Sequence, residues 1–139
     1  MKSKVMTIAN SLVKQGMARS AAMIRAWITV KLHTIRTKAA GVTFGRRQEL
    51  LYRLTRYAPD DIAVRLERDT GNAYDRNAVQ IIAAVKGKGD AVIGYINREL
   101  AAAIAPLLDK GKAIKAAFEG ITGGHEYGLN YGLNFAISI

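Results

Sequence analysis

The sequence predicts an α+β fold, in which a helical hairpin precedes a small antiparallel barrel or curled sheet of five or six strands with two helices. Apolar residues recur at helical spacing in residues 3–37, whereas short β-branched segments and glycine-rich turns dominate from residue 41 onward. A chain of 139 residues has room for one ordinary domain and a short appendage. We therefore expect residues 1–40 to form a helical extension and residues 41–139 to form the domain.

Two helices are predicted in the N-terminal extension. Residues 3–15 place apolar side chains at helical spacing. A second helix is predicted from residue 20 to about residue 37, with Trp27, Ile28 and Ile35 on one stripe. The short link between them predicts a helical hairpin. Because two helices of this length cannot bury both faces alone, we expect the hairpin to dock on the domain.

The domain itself is predicted to contain short strands and two helices. Ile62, Val64 and Leu66 alternate with small or polar residues, which is the period of a half-buried strand. Asn97 is placed to cap a helix, and the two glycines before His125 predict the tip of the last hairpin. Strands are predicted at residues 41–45, 62–67, 78–85, 91–96, 112–121 and 133–139, and helices at residues 46–56 and 98–108.

The net charge of +10 is concentrated in the first third of the chain. Residues 1–48 contain ten basic and no acidic residues, whereas residues 49–139 contain eleven of each. Such asymmetry is typical of proteins that bind nucleic acid or an anionic surface. A basic tail that serves only solubility is the alternative.

Several kinds of chemistry lack the residues that they require. The chain has no cysteine, which excludes disulfides, thiolate zinc sites and cysteine nucleophiles. His33 and His125 have no acidic partner at metal-ligand spacing, and no nucleotide-binding glycine motif occurs. The longest apolar stretch, residues 101–108, is much shorter than the roughly 20 residues of a membrane-spanning helix. We expect no enzyme and no cofactor, in a cytoplasmic protein that is nucleoid-associated if bacterial.

The most distinctive segment is residues 65–79, which read Arg-Leu-Glu-Arg-Asp-Thr-Gly-Asn-Ala-Tyr-Asp-Arg-Asn-Ala-Val. Val-Ile-Gly-Tyr-Ile-Asn-Arg follows at residues 92–98, and Leu-Asp-Lys-Gly at residues 108–111. The order and spacing of these motifs resemble the HIRAN domain over residues 41–139. The resemblance implies a small OB-like barrel that binds single-stranded DNA, and free 3′ ends in some members, in DNA repair or at replication forks.

The resemblance also implies a set of DNA-binding residues. Tyr74 and Phe44 would offer flat faces on which bases stack, and Asn72 has a donor and an acceptor to meet a base edge. Asp75 would accept a hydrogen bond from a terminal 3′-hydroxyl but would repel an internal phosphate. Such a carboxylate would select strand ends over continuous strands.

Basic residues are expected to offset the phosphates. Arg98 would lie near the pocket, with Tyr95 at its edge. Thr43 stands where some family members have a phosphate-binding arginine. We therefore expect that phosphate binding has moved to Arg46, Arg47 or the N-terminal hairpin.

A purely structural role for the 69–77 segment is an alternative. In that interpretation Asp75 and Asn77 bond their own backbone in a tight turn, and Tyr74 fills the core. Phe44 would likewise be a core residue. Gly94 is expected to be structural in either case, because glycine lets another backbone segment come close.

A protein–protein adaptor is an alternative function of a different class. It would bind a protein partner through residues 1–40 and use the barrel as a scaffold. Exposure of Trp27, Ile28 and Ile35 would favour it, since an uncovered apolar stripe marks an interface. Membrane-surface binding is not expected, because the apolar faces of the two helices are modest.

Overall fold

The computed structural model describes residues 2–14, 16, 18–30 and 34–139, without the side chains of residues 2–5 and 26–30. Its four α-helices are α1 (Lys2–Lys14), α2 (Arg19–Val30), α3 (Arg47–Leu54) and α4 (Arg98–Asp109). Its six strands are β1 (Thr34–Lys38), β2 (Ile62–Arg68), β3 (Val79–Val85), β4 (Gly89–Tyr95), β5 (Lys115–Gly124) and β6 (Leu129–Ser138). Short 3-10 turns lie at Pro59–Asp61 and His125–Tyr127.

The strands form one antiparallel sheet in the order β1-β6-β5-β2-β3-β4, so the predicted α+β class is confirmed. The sheet curls until its two edges touch at one point. There Ala40, just after β1, exchanges two backbone hydrogen bonds of 2.7 and 2.9 Å with Tyr95 at the end of β4. Within the described residues this bridge is the only backbone pairing between the two edges, because β1 otherwise pairs with β6 and β4 with β3. The sheet is therefore not a closed barrel, and the OB-like description holds only loosely.

The hydrophobic core lies where α3 and α4 pack against the sheet. Phe135, Leu51, Ile104 and Ile81 are among its largest fully buried side chains. The alternation predicted for β2 is confirmed, since Ile62 and Val64 are buried whereas the intervening residues are exposed. Burial on one face of each strand fixes the register of the sheet.

Several local signals were sufficient to place their elements. The Oδ1 atom of Asn97 accepts a 2.9 Å hydrogen bond from the backbone N–H of Leu100 and caps α4 as predicted. Helix α3 and strands β2, β3 and β4 lie within one or two residues of the predicted bounds. The last hairpin is longer than predicted. Gly123 and Gly124 lie in β5, and the tip follows at His125–Tyr127.

The prediction that the second helix extends to residue 37 is wrong. Helix α2 ends at Val30, and Thr34–Lys38 is strand β1, paired with the end of β6. Exposed and half-buried side chains alternate along β1, and Ile35 packs against the core. β-Branched Thr34, Ile35 and Thr37 fit a pleated surface better than a helix.

The prediction of a strand at residues 41–45 is also wrong. Gly41 and Gly45 have φ values of +66° and +57°, which an extended strand does not allow. The segment is therefore a loop, here called the 41–46 loop. Phe44 is 68% exposed on it, so its interpretation as a core residue fails.

The expectation that the helical hairpin docks on the domain is confirmed. Helix α1 packs on α2, and α2 packs on α4. Ala21 and Ala22 are fully buried in this contact, and a guanidinium nitrogen of Arg25 donates to the Ala103 carbonyl at 3.4 Å. Burial lowers the pKa of Arg25 below its ordinary value.

The apolar stripe that would favour an adaptor is described only in part. Trp27 and Ile28 lie outside the described side chains, and Ile35 is half-buried in the sheet rather than on a helix. Over the described ranges, no helix has both the length and the apolar character needed to cross a membrane.

Candidate nucleic-acid interface

Three connections meet where the two edges of the sheet touch. They are the 41–46 loop, the loop of residues 69–78 between β2 and β3, and the junction of β4 with α4. The bridge between Ala40 and Tyr95 brings the first of these beside the third. Candidate residues from three separate segments of the chain are thereby brought near one another.

Asn72 and Asp75 shape the 69–78 loop. The Asn72 Oδ1 atom accepts hydrogen bonds from the backbone N–H groups of Tyr74 and Asp75, at 2.9 and 3.0 Å. The Asp75 Oδ1 atom accepts one from the backbone N–H of Asn77, at 2.9 Å. Asp75 thus bonds its own backbone, as the structural interpretation predicts. Tyr74, however, is 91% exposed, so the prediction that it fills the core is wrong.

Arg68 holds the C-terminal end of this loop. Its guanidinium donates to the carbonyl of Ala78 at 2.6 Å and to that of Arg76 at 2.9 Å. The same group donates to the Asp109 carboxylate at 2.9 Å. These charge-assisted bonds tie the loop to the end of α4. Both residues belong to the motifs that resemble the HIRAN domain, but residue type alone does not indicate that they pair.

Asp69 joins the loop to Tyr95. Its Oδ2 atom accepts hydrogen bonds from the Tyr95 hydroxyl at 2.8 Å and from the Asn72 side-chain nitrogen at 3.1 Å. The bond from Tyr95, and then that from Asn72, lower the pKa of Asp69. The bond to Asp69 raises the pKa of Tyr95. Asp69 is a positioning residue that the sequence reasoning missed.

Arg47 lies between two aromatic rings. Its guanidinium carbon is 5.9 Å from the ring centroid of Phe44 and 5.2 Å from that of Tyr95. One of its nitrogens donates to the Gly41 carbonyl at 2.6 Å. In the part of the chain that the structure describes, no carboxylate pairs with Arg47. Its positive charge is therefore fixed beside the rings and available to an anion.

The structure does not bring Arg46 to this group. Its guanidinium donates two hydrogen bonds to the Glu49 carboxylate, at 2.9 and 3.1 Å. This pairing raises the pKa of Arg46 and lowers that of Glu49. Arg53 donates to the same carboxylate at 2.7 Å. Arg46 is thus held against α3 by an exposed carboxylate that it shares with Arg53.

Gln48 anchors the 41–46 loop to β6. Its amide nitrogen donates to the carbonyls of Val42 and Tyr131, and its oxygen accepts from the Tyr131 backbone N–H at 2.7 Å. The Tyr131 ring packs against those of Tyr52 and His125, with centroids 5.8 and 5.3 Å away. The anchor thus ties the loop to β6.

A small cavity of about 250 Å³ opens at the centre of these contacts. It offers two tyrosine rings, a carboxylate that can only accept hydrogen bonds, and a guanidinium. Among the described residues, Arg98 has no ion-pair partner, and no cluster of acidic and histidine side chains could hold a metal. The lining residues are Asn72, Tyr74, Asp75, Ala78, Tyr95, Ile96 and Arg98.

Tyr95→Phe is expected to reduce the free energy of unfolding by about 1 kcal/mol near neutral pH, because it removes the hydroxyl that Asp69 accepts. The pKa of Tyr95 in the folded protein lies above its ordinary value of 10.0. The hydrogen bond therefore stabilises the fold fully below pH 10, and this stabilisation is lost as the pH rises through the raised pKa. The pKa of Asp69 in the folded protein lies below its ordinary value of 3.8. Its contribution to the free energy of unfolding is therefore lost only as the pH falls through the lowered pKa.

The difference between wild type and Tyr95→Phe should therefore be constant from about pH 5 to about pH 9 and shrink outside that range. Urea unfolding of both proteins across pH measures it. A difference that persists unchanged in strong alkali would contradict the assignment of the bond.

The sequence model of the HIRAN domain family matches residues 32–139, which include β1 and exclude α1 and α2. A protein from Lactobacillus plantarum with a known crystal structure shares 23% sequence identity with this chain. The two structures align with a TM-score of 0.48, and the alignment covers 78% of this chain and 94% of the other. No curated protein matches the chain. The chain belongs to the HIRAN family of DNA-binding domains.

Proposed function

We propose that this HIRAN domain is non-catalytic and binds single-stranded DNA at a free 3′ end. The observation that supports the proposal most strongly is that the exposed Tyr74 ring, the Asp75 carboxylate and Arg98 line one cavity. Free 3′ ends arise during DNA repair and at replication forks, which is the context that we propose.

Asp75 would recognise the terminal hydroxyl. Its Oδ1 atom is engaged by Asn77, and its Oδ2 atom makes no hydrogen bond to any residue that the structure describes. A carboxylate accepts a hydrogen bond from a hydroxyl group, whereas a phosphate at the same position would be repelled. The turn formed around Asn72 fixes the direction of this carboxylate before DNA arrives.

Tyr74 and Phe44 would stack on bases. They are 91% and 68% exposed, and exposed rings of this size are stacking platforms for unpaired bases. Asn72 would meet a base edge only through the remaining N–H of its amide, because its oxygen already accepts two backbone bonds. Each stacked base contributes about 1–3 kcal/mol to binding.

Arg98 and Arg47 would offset the phosphates near the pocket, and the basic extension would add contacts that do not depend on sequence. Within the described residues, neither arginine has a carboxylate partner. Because several phosphate charges would be neutralised, the binding constant should fall steeply as the salt concentration rises.

Fluorescence anisotropy with three labelled oligonucleotides tests the proposal. One is a single strand with a free 3′-hydroxyl, one carries a 3′-phosphate, and one is a blunt duplex. We expect the tightest binding to the free 3′-hydroxyl at moderate salt. Equal and weak binding to all three would contradict end recognition and would direct attention to a protein partner of residues 1–40.

A further inference from the structure

We propose that the helical extension forms one wall of the DNA site, and that the cleft beside it holds the nucleotide preceding the 3′-terminal one. This inference rests on the proposed function. The extension lies outside the matched family region, which begins at residue 32.

The cleft lies between the start of α2 and the 69–78 loop, and its volume is about 650 Å³. It is larger than the 250 Å³ cavity next to it and falls within the usual range of ligand sites. Its lining residues are Ala18, Ser20, Ala21, Asn72, Ala73, Tyr74, Asp75, Arg76, Asn77, Arg98, Glu99 and Ala102.

The cleft and the small cavity are two parts of one groove. Asn72, Tyr74, Asp75 and Arg98 line both of them. A strand whose terminal hydroxyl meets Asp75 in the small cavity therefore continues into the cleft. Arg98 lies at the junction, where the phosphate that links the last two nucleotides would lie.

The wall is firmly attached to the domain. Ala21 is fully buried against its surroundings, and Arg25, one helical turn further, donates to the Ala103 carbonyl of α4. Because α2 packs on α4, the side chain of Ser20 is held at the edge of the groove.

The charged side chains that line the cleft are balanced in number. Arg76 and Arg98 line it without an ion-pair partner among the described residues. Asp75 and Glu99 are its acidic residues, and the hydroxyl would engage Asp75. The two guanidinium groups and the two carboxylates balance, so a negative group added at Ser20 would give the lining a net negative charge and oppose the binding of DNA phosphates.

The test compares Ser20→Glu with Ser11→Glu in the full chain. Both serines are exposed in the same basic extension, but Ser11 lies in the middle of α1 and does not line the cleft. Anisotropy with a single strand of about ten nucleotides should show roughly tenfold weaker binding for Ser20→Glu and less than about threefold for Ser11→Glu. Ser20→Lys should strengthen binding more than Ser11→Lys does.

Equal effects at the two positions would overturn the inference, since the extension would then act through its net charge alone. The lysine pair gives the answer if a glutamate variant does not fold. The two proposals fail in different ways. If only the inference is wrong, the wild type still prefers a 3′-hydroxyl over a 3′-phosphate. A wild type without that preference would refute the proposed function itself.

Discussion

Asp75→Asn is expected to reduce the preference for a 3′-hydroxyl over a 3′-phosphate by about 10- to 100-fold, which is the range for a hydrogen bond to a charged group. Asparagine keeps the oxygen that accepts from the Asn77 backbone N–H, so the turn should survive. The variant loses the negative charge that repels a terminal phosphate, and an N–H donor replaces the Oδ2 atom that would accept from the hydroxyl. Anisotropy with the two single strands measures the ratio of the two affinities.

Asp90→Asn is the matched control. Asp90 lies at the opposite end of β4 from Tyr95, and its partner Arg65 is 2.9 Å away in an exposed pair. Surface pairs of this kind contribute little to stability, so the control should keep the wild-type preference. An Asp75→Asn variant that also keeps it would refute the role of this carboxylate.

Gly94→Ala should lower the free energy of unfolding by about 2–3 kcal/mol. A methyl group at this position would lie 2.7 Å from the carbonyl oxygen of Ala40 and 3.2 Å from a methyl carbon of Val42. The predicted structural role of Gly94, a close approach of another backbone segment, is thereby confirmed. Because the clash falls on the bridge between Ala40 and Tyr95, DNA binding should weaken as well. Urea unfolding and anisotropy measure the two effects.

Gly120→Ala provides the comparison for this substitution. Gly120 lies in β5, and an added methyl group would have no atom within 4 Å. Alanine there should be neutral or slightly stabilising, because it restricts the unfolded chain. If the two alanine variants lose the same stability, the close approach at Gly94 is not the cause.

The parts of the fold that the sequence predicted correctly depend on local signals. Asn97 caps α4 through its own neighbour, and the alternation along β2 follows from burial of one face. The errors arose where a distant partner decides the structure. Thr34–Lys38 is a strand because β6, about one hundred residues later, supplies its hydrogen bonds. Residues 41–45 form a loop, and five residues are too few for the spacing of apolar side chains to distinguish a loop from a strand.

The same distinction applies to the candidate site. The motifs were sufficient to single out Tyr74 and Asp75, which the structure brings into one cavity. Arg68 and Asp69 were missed because their roles depend on Asp109 and Tyr95, which lie 41 and 26 residues away along the chain. Residue type alone does not reveal such partners.

Tyr95 links the two edges of the sheet to the candidate site. Its backbone forms the bridge to Ala40, its ring contacts Arg47, and its hydroxyl bonds Asp69. The bridge, here called the seam, consists of only two hydrogen bonds, so we expect it to open locally without unfolding of the core. A ligand that needs all three contacts would bind only the closed seam, and binding would suppress its opening in proportion to ligand concentration. If the proposed site is correct, its occupancy should therefore be linked to the integrity of this bridge.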